Sequence, residues 1–453
     1  MAVEAKDVVI IGGGFAGLSA GVALAERGFR VALLESKPAL GGRAYSFADP
    51  DSGDFVDNGQ HVLMGCYHAT LAFLEKLGTR DRLIARPDLA IEMLTGPQQS
   101  ACVRTARLPG PLHMAAAILR YQHLGPTERL SVLRAGLRLM YMRRFQARRL
   151  AQLSVAQFMD ATRQNETARR CLWYPIALAT LSEDPQLASA SLFAEVMRLA
   201  FFARRRDSAF LYATVGLSDL YCEPARRIIE DRGGVVACRS IADHLEFGDD
   251  GRVSRVRLRD GAALQAANFI AAVTPDRLLK LLPEGAAGAS SFAALTDLKT
   301  SPIVCLHAWF DRPVTDAAFV GFVGTDTQWL FNKRVIFGGP SDRPGYLSFV
   351  ISGARDFVSR SNGELIDIIL GDLRRMIPAA AKARLLRAMV IREKQATIAT
   401  DTVSNLKRPA TITSIPNLFL AGDWIQTGLP ATIESAVRSG NAAAEAVSAR
   451  VGA

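Results

Sequence analysis

The sequence predicts an α/β fold in which one discontinuous domain carries an inserted α+β domain. Three observations predict it. An apolar strand near the start runs through a glycine-rich turn into a helix. A second short strand follows that helix and closes on an acid. A third strand near the far end of the chain closes on Gly-Asp and is again followed by a helix. Strand–turn–helix–strand with an acid in register is the Rossmann-like pattern of a dinucleotide-binding unit.

Each element has a physical reason. Asp7-Val8-Val9-Ile10-Ile11 is a β-branched run that reads as a buried strand. Gly12-Gly13-Gly14-Phe15-Ala16-Gly17 is the turn. Gly12 makes it tight, Gly14 lets backbone approach a pyrophosphate, and Gly17 lets helix and strand pack closely. The helix that opens near Phe15 and Ala16 offers unpaired N–H groups and the positive end of its dipole to phosphates. Arg30–Leu34 is the second strand, and Glu35 after it sits where an acid accepts hydrogen bonds from ribose hydroxyls.

The next segment favours FAD over NAD. Ser36 leads into Gly41-Gly42-Arg43, a second glycine pair with a forked cation suited to phosphate. At the far end Asn417–Trp424 reads as a buried strand whose Gly422-Asp423 places an acid to hold a polyol such as ribitol. Pro430, Thr432 and Ile433 then start the last helix. Its N-terminus is placed to stabilise negative charge on a reduced flavin ring.

These motifs resemble the amine oxidase and phytoene desaturase superfamily of flavoproteins. Asp57-Asn58-Gly59-Gln60-His61-Val62-Leu63-Met64-Gly65-Cys66-Tyr67 and Gly428–Val437 resemble one branch of it, the hydroxysqualene dehydroxylases, or squalene-associated FAD-dependent desaturases. The resemblance implies an FAD domain of the GR2 type and an apolar isoprenoid substrate, hydroxysqualene, reduced to squalene on the route to hopanoids and other triterpenes. It places Gly59, Gln60 and His61 near the flavin ring and Ile241 over the adenine. Amine oxidases of the superfamily carry a lysine where this chain has Val304, and often a flavin-linking cysteine where it has Leu429-Pro430-Ala431-Thr432, so the resemblance implies noncovalent FAD. A carotenoid-type desaturase is the alternative. A true amine oxidase and a non-catalytic prenyl-binding escort protein fit less well.

The FAD domain is expected to comprise residues 1–77, 220–284 and 396–453, and the substrate domain residues 78–219 and 285–395. Ile303–Phe310 and Tyr346–Ile351 read as strands of the latter. At 453 residues, 49% hydrophobic and 22% charged, the chain is globular rather than disordered. Its six cysteines form no C-x-x-C pair, which suits a cytoplasmic protein and argues against a metal or iron–sulfur site. No run approaches the length needed to span a bilayer, and the first apolar run is the cofactor strand rather than a leader.

The net charge of +10 is unevenly placed. Arg129, Arg134, Arg138, Arg143, Arg144, Arg148 and Arg149 fall in an acid-free interval, with Leu130, Leu133, Leu137, Met140 and Tyr141 at helical spacing. A basic amphipathic helix suits the inner face of a membrane, or else a solvated face packed on the domain below. No nucleic-acid module surrounds these arginines.

Without a catalytic triad, HExxH or P-loop lysine, a bound flavin must supply the redox chemistry. Dehydroxylation also needs an acid for the leaving hydroxyl and a dry cavity. His61, Tyr67 and Glu434 are the candidate acids. Glu183 and Asp184 lie on the insertion, and Tyr174 and Tyr212 are candidate cavity residues. No residue identifies the electron donor.

Overall fold

Residues 6–86, 88–283, 292–338 and 345–451 are described by a computed structural model. The apolar run at the start forms the strand Lys6–Ile11 at the centre of a parallel sheet. Val31–Leu34 pairs on one side of it and Ala263–Ala271 on the other. Val235–Ala237 extends the sheet beyond Val31–Leu34, and Leu418–Leu420 pairs in parallel with Ala263–Ala271. Parallel strands are covered on both faces, which is why they tolerate uninterrupted apolar sequence. Val8, Val9, Ile10, Leu33, Phe269 and Leu418 are all 0% exposed.

The helices Phe15–Ala25 and Ile433–Val451 pack against one another on this sheet. A Cβ on Gly440 would lie 2.3 Å from the Ala16 carbonyl oxygen, so a glycine is what lets the two helices meet. The first half of Ala263–Ala271 leaves the parallel sheet and joins Val253–Leu258 and Ala242–Phe247 in an antiparallel meander. The strand Val235–Ala237 is short. From there the chain bends over the neighbouring strand end, where Arg239 N–H donates to Lys37 O and Ser240 N–H to Glu35 O (3.0 and 2.9 Å).

The second sheet has seven strands in the order Leu385–Ile398, Thr300–Phe310, Gly345–Ser352, Trp329–Asn332, Phe319–Phe322, Ala90–Gly96, Gln99–Arg104. The two strands read from sequence are antiparallel neighbours, with Cys305 opposite Val350. Val304, Leu306 and Ala308 pack under the helix Asn362–Met376, whose Ser361–Glu364 capping box starts it. Ile303, Phe319, Phe331 and Val350, on the other face, line a cavity. A helical layer spanning Leu112–Phe202 closes that cavity.

Two elements run across the expected boundaries. The helix Leu217–Glu230 begins before Leu220, because Leu217 N–H is held by Asp57 Oδ1 (3.1 Å). The strand Leu385–Ile398 continues past Gln395 along its partner Thr300–Phe310. The boundary expected at Glu284–Gly285 lies outside the described residues.

The arginine-rich segment forms two helices, Pro126–Phe145 and Ala147–Ala151, broken at Gln146. Val132, Ala135, Gly136, Leu139 and Met142 are the buried face of the first. Of the apolar residues picked out by spacing, Leu133 and Met140 pack against the buried cluster, whereas Leu130, Leu137 and Tyr141 are exposed, joined by Phe145. Leu137 is 72% exposed and Phe145 69%, among the exposed arginines 134, 138 and 144. Arg143 instead turns inward to Glu195 (2.8 Å).

Candidate active site and cofactor cradle

A cavity of about 1000 Å³ runs between the two sheets, and both ends of the chain contribute to it. At one end it is walled by backbone. Gly12 has φ +114°, and a Cβ there would strike Ala272 O at 2.4 Å. A Cβ on Gly17 would lie 1.9 Å from Gly12 O, so this glycine sits behind the turn rather than on the cavity wall. Gly13 N–H donates to Glu35 Oε2 (2.9 Å), while Glu35 Oε1 accepts from Lys37 N–H and the Ser36 hydroxyl. The second glycine turn faces the first: Gly41 N–H donates to Gly13 O (2.9 Å), and a Cβ on Gly42 would be 3.2 Å from Gly14 Cα. Phe15, Ala16, Ser36, Gly41, Gly42 and Ile241 all line this end.

Segments far apart in sequence lock this wall together. Arg43 forms an ion pair with Asp423, and its Nη1 donates to Ala396 O (3.2 Å). Sequence spacing assigned these two residues to different parts of a ligand; the fold sets them side by side. Tyr221, absent from the sequence reading, stacks on Phe15 with ring centroids 3.6 Å apart. Its hydroxyl bonds to the carbonyls of Gly41 and Ala44 (2.8 Å each). Arg408 is the other residue sequence reasoning missed. It is buried and donates to Asp423 O and Ile425 O (2.6 Å each), to Trp424 O (3.2 Å) and to Leu429 O. Burial lowers its guanidinium to about 10, opposed by nearby Asp423, so it stays charged at neutral pH. In Lys407-Arg408-Pro409 it reads as a solvated loop arginine, and only the fold reveals the four carbonyls it gathers.

Beyond this wall lie Gly59, Gln60, His61, Tyr67, Gly422, Thr432 and Ile433, and then an apolar chamber walled by residues such as Leu89, Met114, Leu172, Phe201 and Trp329. Asn58 ties the loop Gly59–His61 to the glycine turn: its Nδ2 donates to Arg43 O (3.0 Å) and its Oδ1 accepts from Tyr45 N–H (3.1 Å). Burial lowers the His61 imidazole below its ordinary value, so it is neutral near pH 7. Burial raises the Tyr67 phenol, which therefore keeps its proton.

Glu434 does not reach this cavity. It accepts from Ala69 N–H (3.1 Å), Thr70 N–H (2.9 Å), the Thr70 hydroxyl (2.8 Å) and Arg438 Nε (2.8 Å). It thus caps the helix His68–Lys76 from another part of the chain. With Pro430 it lines a separate chamber of about 30 Å³ behind Tyr67 and Thr432. Glu183 is fully buried and paired with Arg355, and Asp184 is exposed and caps Gln186 N–H (2.8 Å). Tyr174 and Tyr212 lie off the cavity wall, the latter with its hydroxyl on Arg86 Nε (3.2 Å).

The residues present fit FAD. The Gly14 face has room for close approach, its nearest would-be neighbours being Gly42 Cα at 3.7 Å and Gly41 O at 3.9 Å. A helix N-terminus and Glu35 flank that space, as a pyrophosphate and a ribose require. Two buried polar atoms on the cavity wall, His61 Nδ1 and Thr397 Oγ1, have no hydrogen-bond partner among the described residues. Among those residues no group of His, Cys, Asp and Glu could hold a metal ion.

A dinucleotide cradle opening onto an apolar chamber defines an FAD-dependent oxidoreductase. The chain belongs to the flavin containing amine oxidoreductase family, whose model matches residues 15–448. It is 30% identical to the hydroxysqualene dehydroxylase of Sinorhizobium fredii over 97% of this chain and 98% of that protein. It is 27% identical to the 15-cis-phytoene desaturase of Solanum lycopersicum, over 97% of this chain and 77% of that one. An oxidoreductase from Methanosarcina mazei shares the fold with a TM-score of 0.77 at 14% identity, covering 97% of this chain and all (100%) of the other.

Proposed function

We infer that the protein is an FAD-dependent hydroxysqualene dehydroxylase, which removes the hydroxyl of hydroxysqualene reductively to give squalene for hopanoid and other triterpene synthesis. The observation that carries this reading is end-to-end similarity to a hydroxysqualene dehydroxylase, with both chains covered almost completely. The cavity supports it, being apolar over most of its length with a polar corner at Gln60, His61, Tyr67 and Thr432.

When bound, reduced FAD supplies the hydride that replaces the departing hydroxyl. The chain does the rest. The glycine turns and the Arg43–Asp423 pair hold the nucleotide, and Arg408 fixes the loop beneath it. Leu172, Phe201 and Phe319 hold an isoprenoid chain and keep water from an electron-poor carbon. Tyr67 holds a proton at its hydroxyl on the cavity wall, and neutral His61 offers a ring nitrogen on the wall of the same cavity; these are the groups we assign to the leaving oxygen. A carotenoid-type desaturase is the second reading, favoured by the similarity to phytoene desaturase. Anaerobic mixing of photoreduced holoenzyme with hydroxysqualene separates the two. The dehydroxylase oxidises its flavin and yields squalene, and an unchanged flavin spectrum rejects that function.

The substrate also suggests where the enzyme works. Leu130, Leu137, Tyr141 and Phe145 project from the helix Pro126–Phe145, and Leu112 and Leu119 from the neighbouring helix Leu112–Arg120. The arginines among them, with Arg138 over the Tyr141 ring and Arg144 over Phe145, make a surface suited to anionic headgroups. We assign this face to the cytoplasmic surface of the cell membrane. Among the described residues no helix is long and apolar enough to cross a membrane. Met114, on the inner side of Leu112–Arg120, lines the cavity, so the docking face and the chamber share one helix.

A further inference from the structure

We infer that Gln60 selects the hydroxylated substrate over its hydrocarbon counterpart, and that Lys333 is the residue that positions it. This rests on the substrate reading above.

Lys333 follows the strand Trp329–Asn332 and opens the short helix Lys333–Phe337. Its side chain is 1% exposed. The ammonium donates to Asp57 Oδ2 (2.7 Å) and to Gln60 Oε1 (3.0 Å), and sits 4.2 Å from the centroid of the Phe337 ring. Asp57 cannot swing away, since its Oδ1 is held by Leu217 N–H (3.1 Å). Asn58, next in the chain, is anchored to the Arg43 turn.

A lysine ammonium has donors and no acceptor. The end of the Gln60 amide that meets Lys333 is therefore the carbonyl oxygen, and the amide has one orientation. Its other end, Nε2, is a pure donor. Gln60 lines the cavity, and Nε2 has no hydrogen-bond partner among the described residues. The ammonium also polarises the amide, which strengthens the donor at Nε2.

The surroundings give this donor its selectivity. Ile303, Phe319, Phe331 and Val350 are apolar and cover much of the same part of the cavity. A hydrocarbon pressed over the amide strips its water and returns nothing, whereas a hydroxyl oxygen accepts from it. A site with a committed polar group rejects the ligand that leaves it unpaired. Gln60 thus supplies a reason for the site to prefer an alcohol, and to release squalene once the hydroxyl has gone.

The test uses oxidised holoenzyme, which has no hydride to transfer, so both ligands are measured at equilibrium. Hydroxysqualene and squalene are titrated in detergent micelles and followed by perturbation of the flavin spectrum. Wild-type protein should bind the alcohol about tenfold more tightly than the hydrocarbon. Gln60→Leu should bind the two equally while retaining flavin. Lys333→Met alone strands Asp57 and can unfold the chain, so the paired change Asp57→Asn with Lys333→Met is the second variant. Without the ammonium that anchors it the amide can swing out of the cavity, and the preference should fall to a few-fold. A Gln60→Leu protein that keeps the wild-type ratio overturns the inference, as does a wild-type protein with no preference. Anaerobic turnover of wild-type enzyme is run beside it. Turnover with no effect of Gln60→Leu on the ratio defeats this inference alone, and absence of turnover defeats the substrate reading itself.

Discussion

Acidification should destabilise this protein through one buried imidazole, and the size of the effect follows from its surroundings. His307 is fully buried in the strand Thr300–Phe310, with Nδ1 on the Tyr346 hydroxyl (2.9 Å) and Nε2 unpartnered among the described residues. Burial first, and the Lys333 ammonium second, push it from its ordinary 6.5 down to about 4, while Asp57 opposes them. Between those two values the unfolded chain takes up a proton that the folded chain refuses. The unfolded state then binds more protons, and stability falls as the pH drops. The full interval corresponds to about 3 kcal/mol, of which about 2 kcal/mol is lost on going from pH 7.5 to pH 5. His307→Asn keeps an acceptor near the Nδ1 position and does not titrate. It should be less stable than wild type at pH 7.5, because it leaves a small cavity. Its urea midpoint, followed by far-ultraviolet circular dichroism, should fall less steeply with acid, so that the two proteins converge by about 2 kcal/mol at pH 5. Parallel pH profiles for the two proteins would refute the argument, since every other titrating group is common to both.

Four more outcomes follow from the site. Gly14→Val puts a side chain into the space between the two glycine turns and should give folded but colourless protein, read as the flavin-to-protein absorbance ratio. Arg408→Met leaves the carbonyls of Asp423, Trp424, Ile425 and Leu429 without their donor. Flavin affinity, measured by fluorescence on dilution, should weaken at least about tenfold. Glu434→Ala uncaps the helix His68–Lys76 and strands the Thr70 hydroxyl. It should cost about 2 kcal/mol of stability in urea while single-turnover flavin oxidation keeps its rate; a collapse of that rate in folded protein would return Glu434 to the chemistry. Reversing Arg134, Arg138 and Arg144 to Glu should abolish co-sedimentation with anionic vesicles at low salt, and undiminished binding would remove the membrane assignment.

The nucleotide end was legible because backbone geometry dictates its residues. A turn that must reach φ +114° at Gly12, or bring Gly42 against Gly14, leaves little choice of side chain. The parallel strands were legible for a related reason: burial on both faces demands continuous apolar sequence. What escaped reading were side chains whose partners come from distant segments. Lys333 and Asp57 are 276 residues apart. Glu434 reads from sequence as a candidate acid, yet it caps another helix 364 residues away in sequence. The helix Pro126–Phe145 misled for the opposite reason. Its packed face mixes Val132, Leu139 and Met142 with the small residues Ala135 and Gly136, while Leu130, Leu137 and Tyr141 face outward, so a count of bulky residues at helical spacing does not tell the two sides apart.

The parallel sheet recruits Leu418–Leu420 as one of its strands, and the helix Ile433–Val451 fills the groove beside Phe15–Ala25. During synthesis the helix Phe15–Ala25 therefore waits, with one flank uncovered, while some four hundred further residues are made. Coenzyme loading should therefore await the helix Ile433–Val451, and a transcript cut short of it should yield a polypeptide that never turns yellow.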